Sequence, residues 1–331
     1  MPLKRAHRRP IQNKKGCEPK IMAQQANYPK LQPVHNILVC LNLTAIDPHL
    51  IRYAAFIART LPASKVVFLH AIQAYDLPDR AQRDFPDVET ALNEMIRDEL
   101  YKSVDENFRE KCHWEVATQV GYEDAAREIL DFIKANEIDL TLIGQKSGEN
   151  REARYGHKIA AEADSDILFI PQYAEASIDP LMCAVDFSPQ SVKAFERALD
   201  LHRAWGAGLT GYFVFDPTRA YFPATTDRSS THSQQQSRKI YEKFLKAYEL
   251  TPEDIPCRIE IGDQMANEAE NIHQAAMNEN ARLIIVGTQG DTSNTTSLLG
   301  NIAETFRLME KEMPVMIVKN PPRRRLSFFR K

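Results

Sequence analysis

No stretch of this chain approaches the roughly 18 consecutive apolar residues that a membrane helix needs, which excludes a transmembrane segment of that kind. The N-terminus is basic but has no apolar h-region, so it reads against a secretory signal. Cysteine is scarce. Cys17, Cys40, Cys112, Cys183 and Cys257 are odd in number, widely scattered, and form no CxxC or Cys/His ligand spacing. That pattern points to reduced thiols in a cytoplasm and to no structural zinc. Cys40 and Cys183 sit inside apolar runs and read as small buried thiols. No histidine pair has HxxxH or HxH spacing, and His70 and His202 read as structural. GxSxG, HExxH, a Walker-A GK[ST] and an SGGxDS-like pyrophosphatase loop are also missing. No catalytic residue and no metal ligand is therefore assigned.

What the chain does have is the composition of a soluble globular protein: 331 residues, 43% hydrophobic and 26% charged, enough for two domains with buried cores. The net charge of −3 hides an asymmetry. Residues 1–35 carry +7 and residues 319–331 carry +6, so the body between them carries −16. An acidic body is no nucleic-acid-binding surface, and only the basic ends suit an anionic surface. Residues 1–35 mix Pro, Gln, Asn and Lys without periodicity and read as a disordered arm, with order beginning at Asn36. Met22 offers an alternative start that would remove residues 1–21. The tail 321–331, PPRRRLSFFRK, reads as a solvated basic extension.

Between the ends, strands and helices alternate. Strand-like runs occur at 37–41, 66–69, 114–120, 140–143 and 167–170, with helical spacing over 47–60, 84–112 and 122–136. The script then repeats. Strands are predicted at 181–185, 209–215, 257–261, 283–286 and 315–318, and helices at 191–205, 238–249, 264–279 and about 301–311. Residues 217–237 read as a polar excursion. Asn42 and Asp186 stand 144 residues apart, Gly144 and Gly287 143 apart, and the final strands SDILFIPQ and MPVMIVKN 148 apart. This near-constant offset is a duplication. The expected fold class is α/β: two tandem, doubly wound, five-stranded parallel-sheet domains, 36–173 and 179–320. Met265, Met277, Met309, Met313 and Met316 are read as core.

In such sheets ligands bind beyond the strand carboxyl ends, at the switch in strand order. Asp186 ends the first strand of the second half, in VDFSPQS. The loop after its fourth strand runs Gly287-Thr288-Gln289-Gly290, then nine residues, then Gly300-Asn301. Gly287 and Gly290 suit a tight turn and close approach to an anion, and Gly300-Asn301 would open a helix whose N–H groups favour phosphate. Thr288, Thr292, Ser293 and Ser297 add hydroxyl donors. From spacing alone, turn formation and helix capping weigh about equally with phosphate binding. Ser188 and Ser191 read as helix-opening residues.

The G-x2-G-x9-G arrangement, the opening VDFSPQSVKAFERALDLHRAWGAGLTGYFVF and the segment LGNIAETF resemble the universal stress protein family, in its tandem two-domain form. The resemblance covers about residues 36–320. It implies an adenine nucleotide α-hydrolase-like architecture, with the two domains paired through their last strands as a pseudo-dimer. For the second domain it implies ATP or another adenine nucleotide, with Mg only alongside it. Asp186 would lie at the nucleoside end, and Gly287, Thr288, Gly290, Gly300 and Asn301 at the phosphates. Asn301 departs from the Ser or Thr usual after the last Gly. It further implies a cytoplasmic stress or signalling protein, not a dedicated enzyme, with slow ATP hydrolysis at most. The partners are then a nucleotide and unidentified proteins, with room for a homodimer. The alternative is a nucleotide-free protein-interaction module that keeps the fold. The first half reads as degenerate: Asn42 replaces the acid, the second glycine moves to Gly148, and its last helix opens either at Gly156 or near Glu152. Glu149 and Glu152 place carboxylates near the phosphate position.

Overall fold

The computed structural model describes residues 33–61, 63–73, 88–121, 125–145, 151–215, 230–261, 268–287 and 313–319. The first half contains β1 (Asn36–Leu41), α1 (Asp47–Thr60), β2 (Lys65–Gln73), α2 (Val88–Asn107), β3 (His113–Gly121), α3 (Ala125–Ala135), β4 (Leu140–Gln145), α4 (Arg151–Glu162) and β5 (Asp166–Pro171). The second contains β6 (Leu181–Ala184), α5 (Pro189–Trp205), β7 (Leu209–Phe215), α6 (Ser230–Lys246), β8 (Cys257–Ile261), α7 (Glu268–Asn278), β9 (Leu283–Gly287) and β10 (Val315–Val318). No helix among the described residues is long and apolar enough to cross a membrane.

The ten strands form one sheet in the order β3-β2-β1-β4-β5-β10-β9-β6-β7-β8. Every pair is parallel except β5 with β10, where Val315 faces Phe169 and Ile317 faces Ile167 in antiparallel register. The two halves therefore join through their last strands, as the resemblance implied. Alternation along these strands divides the core. Leu168, Ile170, Met316 and Val318 belong to the cluster on one face, and Ile167, Phe169, Val315 and Ile317 to that on the other. Each cluster runs through both halves, so apolar burial, worth about 1.5–3 kcal/mol per large side chain, continues across the junction.

A buried polar clamp fixes that junction. Asp166 of β5 accepts hydrogen bonds from Arg197 Nε at 3.1 Å and from the Lys319 backbone N–H at 2.9 Å, with Arg197 Nη2 at 3.0 Å. Burial pushes the Asp166 carboxyl up, and the Arg197 guanidinium and Lys319 amide oppose that shift. The Lys319 ammonium donates to the carbonyls of Ala160 and Ala161 in the other half, and burial lowers its pKa to about 8. Sequence placed Lys319 with the basic tail, but it is only 6% exposed. On one face of the sheet, the Trp205 indole donates to the Thr60 carbonyl, which ties the end of α5 to the end of α1.

Several boundaries differ from expectation. Order begins before Asn36: Val34 is buried, and the N–H groups of His35 and Asn36 both donate to Asp139. Helix α6 starts at Ser230, eight residues earlier than predicted. Its first turns, STHSQQQS, lack an apolar stripe, and Ser237 is buried with its hydroxyl on the Gln234 carbonyl. Helix α4 opens at Arg151, so Gly156 lies within it, where a Cβ would stand 3.0 Å from the Phe169 ring. Met313 and Met316 are core, but Met277 near the end of α7 is 53% exposed. Met265 and Met309, the predicted helix at 301–311, the arm up to residue 32 and the tail from residue 320 fall outside the described residues.

Candidate functional site

The strand order reverses direction between β6 and β9 in the second half, and between β1 and β4 in the first. Beyond the carboxyl ends of β6 and β9, the structure brings together Asp186, Gly287 and the first turn of α5. β6 and β9 pair with Cys183 beside Ile285. Asp186 lies two residues past the end of β6, and Gly287 ends β9. Thr288, Gly290, Gly300 and Asn301 lie outside the described residues.

Local chemistry builds the turn that carries Asp186. The Asp186 carboxylate accepts the Ser188 N–H at 3.0 Å, while its own N–H donates to Ser191 Oγ at 3.2 Å. Ser188 is the N-cap of α5: its Oγ accepts the Ser191 N–H, and Pro189 opens the helix. Both serines are thus helix-opening groups. Phe187 takes a left-handed φ of 62°, costly for a bulky side chain. Its ring is held against Phe213 at 4.7 Å and Phe244 at 5.1 Å, which fixes the turn.

Gly287 has a role that the sequence did not disclose. A Cβ there would sit 2.2 Å from the Gln190 carbonyl oxygen and 2.9 Å from the Ser191 nitrogen. Only glycine lets the backbone at the start of α5 rest on the end of β9. The corresponding Gly144 is less constrained, since its Cβ would meet only the side-chain tips of Ile46 at 3.2 Å and Leu50 at 3.3 Å.

The first half repeats this turn with one change. Leu43, 144 residues before Phe187, is left-handed too, at φ 57°. Where Ser191 caps the turn in the second half, Asp47 does so in the first. Its carboxyl group accepts the Leu43 N–H at 2.8 Å and the Asn42 N–H at 3.3 Å. Asp47 is buried, and desolvation raises its pKa against the pull of those N–H groups. Asn42 accepts from the Thr44 hydroxyl at 2.6 Å. The 144-residue offset was the signal that could have paired Asp47 with Ser191. Residues 146–150, with Glu149, are outside the described residues, as is the side chain of Glu152.

Two histidines have structural partners: His70 Nδ1 lies 2.9 Å from the Leu41 carbonyl, and His202 Nδ1 2.6 Å from that of Ala207. Among the described residues no group of three or more His, Cys, Asp or Glu is placed to hold a metal. Cys183 is buried, Cys40 partly so, and desolvation pushes the Cys40 thiol up to about 12.

The universal stress protein family matches the chain twice, over residues 33–169 and 177–319. No curated protein matches it. Among solved structures, a universal stress protein from Archaeoglobus fulgidus DSM 4304 is similar at 15% identity, covering 86% of this chain and 96% of that one, with a TM-score of 0.58. A functionally unknown protein from Pseudomonas aeruginosa PAO1 is similar at 16% identity, 87% and 93% coverage and a TM-score of 0.58. A putative universal stress protein from Pseudomonas aeruginosa UCBPP-PA14 gives 17% identity, 86% and 93% coverage and a TM-score of 0.57. At these identities the likeness is one of fold. The two family matches together span most of the sequence, and the chain belongs to the universal stress protein family as a tandem, two-domain member.

Proposed function

We propose that this tandem universal stress protein binds one adenine nucleotide, of the ATP type, in its second domain, 179–320, and none in its first, 36–173. The observation that carries the reading is the meeting of Asp186 and Gly287 at the strand-order switch, Gly287 being the first glycine of the G-x2-G-x9-G sequence. Asp186 recognises the nucleoside end. Gly287, Thr288, Gly290, Gly300 and Asn301 supply the backbone N–H groups and hydroxyls for the phosphates. Mg enters only with the nucleotide. The first domain lacks the acid at Asn42, and its turn N–H groups are occupied by Asp47. The protein acts as a cytoplasmic stress or signalling module in which the nucleotide shifts the population of conformations that meet partner proteins. Turnover is no part of the reading.

Calorimetric titration with ATP, and separately with inorganic triphosphate, tests it. The expected stoichiometry is one per chain. Asp186→Ala should weaken ATP by about tenfold to a hundredfold, the loss of one charge-assisted hydrogen bond of about 1.5–3 kcal/mol, and leave triphosphate nearly unchanged. Gly290→Val should abolish both. Binding of ATP that survives Gly290→Val refutes the loop assignment. Absence of ATP binding by the unaltered chain favours the nucleotide-free interaction module.

A further inference from the structure

The ten-stranded sheet ends in two edges, β3 and β8. Among the described residues nothing pairs with the outer side of β8, and unpaired edges either are blunted or recruit another strand. The direction of its backbone groups can be read from one bond. The Gly211 N–H donates to the Pro256 carbonyl at 2.8 Å, so Pro256 points inward, toward β7. Along a strand these groups alternate. Arg258 and Glu260 therefore also direct their main-chain N–H and C=O toward β7, and Cys257, Ile259 and Ile261 direct theirs outward.

That parity restricts how β8 can meet a copy of itself. Antiparallel pairing must join outward residues, and the registers that overlap at least three residues of β8 put the two-fold axis at residue 258, 259 or 260. At 258 the axis sets Arg258 against Arg258 of the partner subunit. At 260 it sets Glu260 against Glu260 of the partner subunit. At 259 it sets each Arg258 directly opposite Glu260 of the partner subunit, in a non-hydrogen-bonded pair where side chains lie closest. Only this register is self-complementary in charge. The edge strand β3, HWEVATQVG, has Glu115 but no lysine or arginine, and cannot form such a pair.

The surroundings of β8 suit a neighbour. Arg258 and Glu260 are half-buried and already prearranged: Arg258 Nε lies 3.3 Å from Glu260, and Glu260 accepts the Tyr212 hydroxyl at 2.9 Å. On the opposite face, Cys257 and Ile259 line an open groove of about 610 Å³ with Tyr241 and Leu250. A second strand laid along β8 would put apolar side chains beside that groove.

We propose that β8 is a dimerisation edge that pairs, antiparallel and centred on Ile259, with β8 of a second copy of this chain, Arg258 opposing Glu260 of the partner subunit. The interface is isologous and closes after two copies. It extends the sheet across both and leaves the β5–β10 junction intramolecular.

Sedimentation over a concentration series tests this with the full chain, and circular dichroism monitors folding. The 37.8 kDa chain should reach twice that mass. Arg258→Glu and Glu260→Arg should each give folded monomers, because each sets like charges opposite one another. An equimolar mixture of these two variants should form a heterodimer. The carboxylate introduced by Arg258→Glu then faces the guanidinium introduced by Glu260→Arg, and the unaltered Glu260 of the first variant faces the unaltered Arg258 of the second. A fault within either chain cannot be repaired in that way. Ile259→Pro removes an outward donor without removing a bond to β7, and should also give a folded monomer. A wild-type chain that stays monomeric throughout overturns the proposal. So does a dimer that survives Ile259→Pro, or a mixture of folded charge variants that remains monomeric.

Discussion

Replacing Gly287 by alanine tests the packing that positions the candidate site. The added Cβ would lie 2.2 Å from the Gln190 carbonyl oxygen, where ordinary contact starts at 3.4 Å, so the start of α5 must retreat by about 1.2 Å. The obstacle is backbone, which cannot turn aside as a side chain does. Overpacking typically costs about 1–3 kcal/mol, and this geometry places the cost at about 3 kcal/mol. Gly144→Ala is the matched control. Its neighbours are the tips of Ile46 and Leu50, and the reduced freedom of the unfolded chain offsets part of any strain, about 0.4–1 kcal/mol. The expected change there is below about 1 kcal/mol. Urea unfolding followed by fluorescence reads both variants, with Trp114 in the first half and Trp205, at the end of α5, in the second. At an m-value of about 3 kcal/mol/M, Gly287→Ala should lower the midpoint by roughly 1 M and Gly144→Ala by less than a third of that. Equal midpoints for the two variants would refute the argument that backbone contact makes Gly287 obligatory.

Two further outcomes concern the junction. Arg197→Ala leaves the Asp166 carboxylate buried without its guanidinium and should cost about 3–5 kcal/mol, read as a lower urea midpoint. An unchanged midpoint would remove the clamp from the energetics of the fold. Lys319 has a folded pKa of about 8 against its ordinary 10.5, so between those values the unfolded chain binds more protons than the folded one. Stability from this group therefore rises as pH increases through that window, by roughly 3 kcal/mol for the whole shift at 1.36 kcal/mol per unit. Lys319→Met should flatten the rise, and a pH profile identical to that of the unaltered chain would contradict it.

The duplication was legible because hydrophobic period and turn residues are local. β7, β8 and β10 match their predicted limits, and Asn42 and Asp186 occupy equivalent strand ends. The antiparallel joining of β5 to β10 came from the resemblance, since apolar strands of this kind do not announce their partners. What stayed hidden depends on distant contacts. The polar start of α6 carries no periodic stripe. Lys319 looks like part of a basic run, yet Asp166 and the α4 carbonyls, more than 150 residues away in sequence, take it inside. Gly287 looks like a turn former until the backbone of α5 is seen resting on it.

These hidden contacts fall unequally on the two halves, and the inequality bears on which half holds a ligand. Both halves keep the strand-end turn, down to a left-handed residue at Leu43 and at Phe187. They differ in what fills it. In the first, the buried Asp47 carboxyl takes the N–H groups of Asn42 and Leu43, so the donors nearest that strand end are already satisfied. In the second, a neutral hydroxyl, Ser191 Oγ, takes the corresponding N–H of Asp186, and the carboxylate is instead the side chain of Asp186 itself, at the strand end. The first half thus pairs an amide at Asn42 with an acid at Asp47, and the second pairs an acid at Asp186 with a hydroxyl at Ser191. The fold tolerates either arrangement, and the acid at the strand end, Asp186 in place of Asn42, is the ground on which the nucleotide site is proposed for the second half alone.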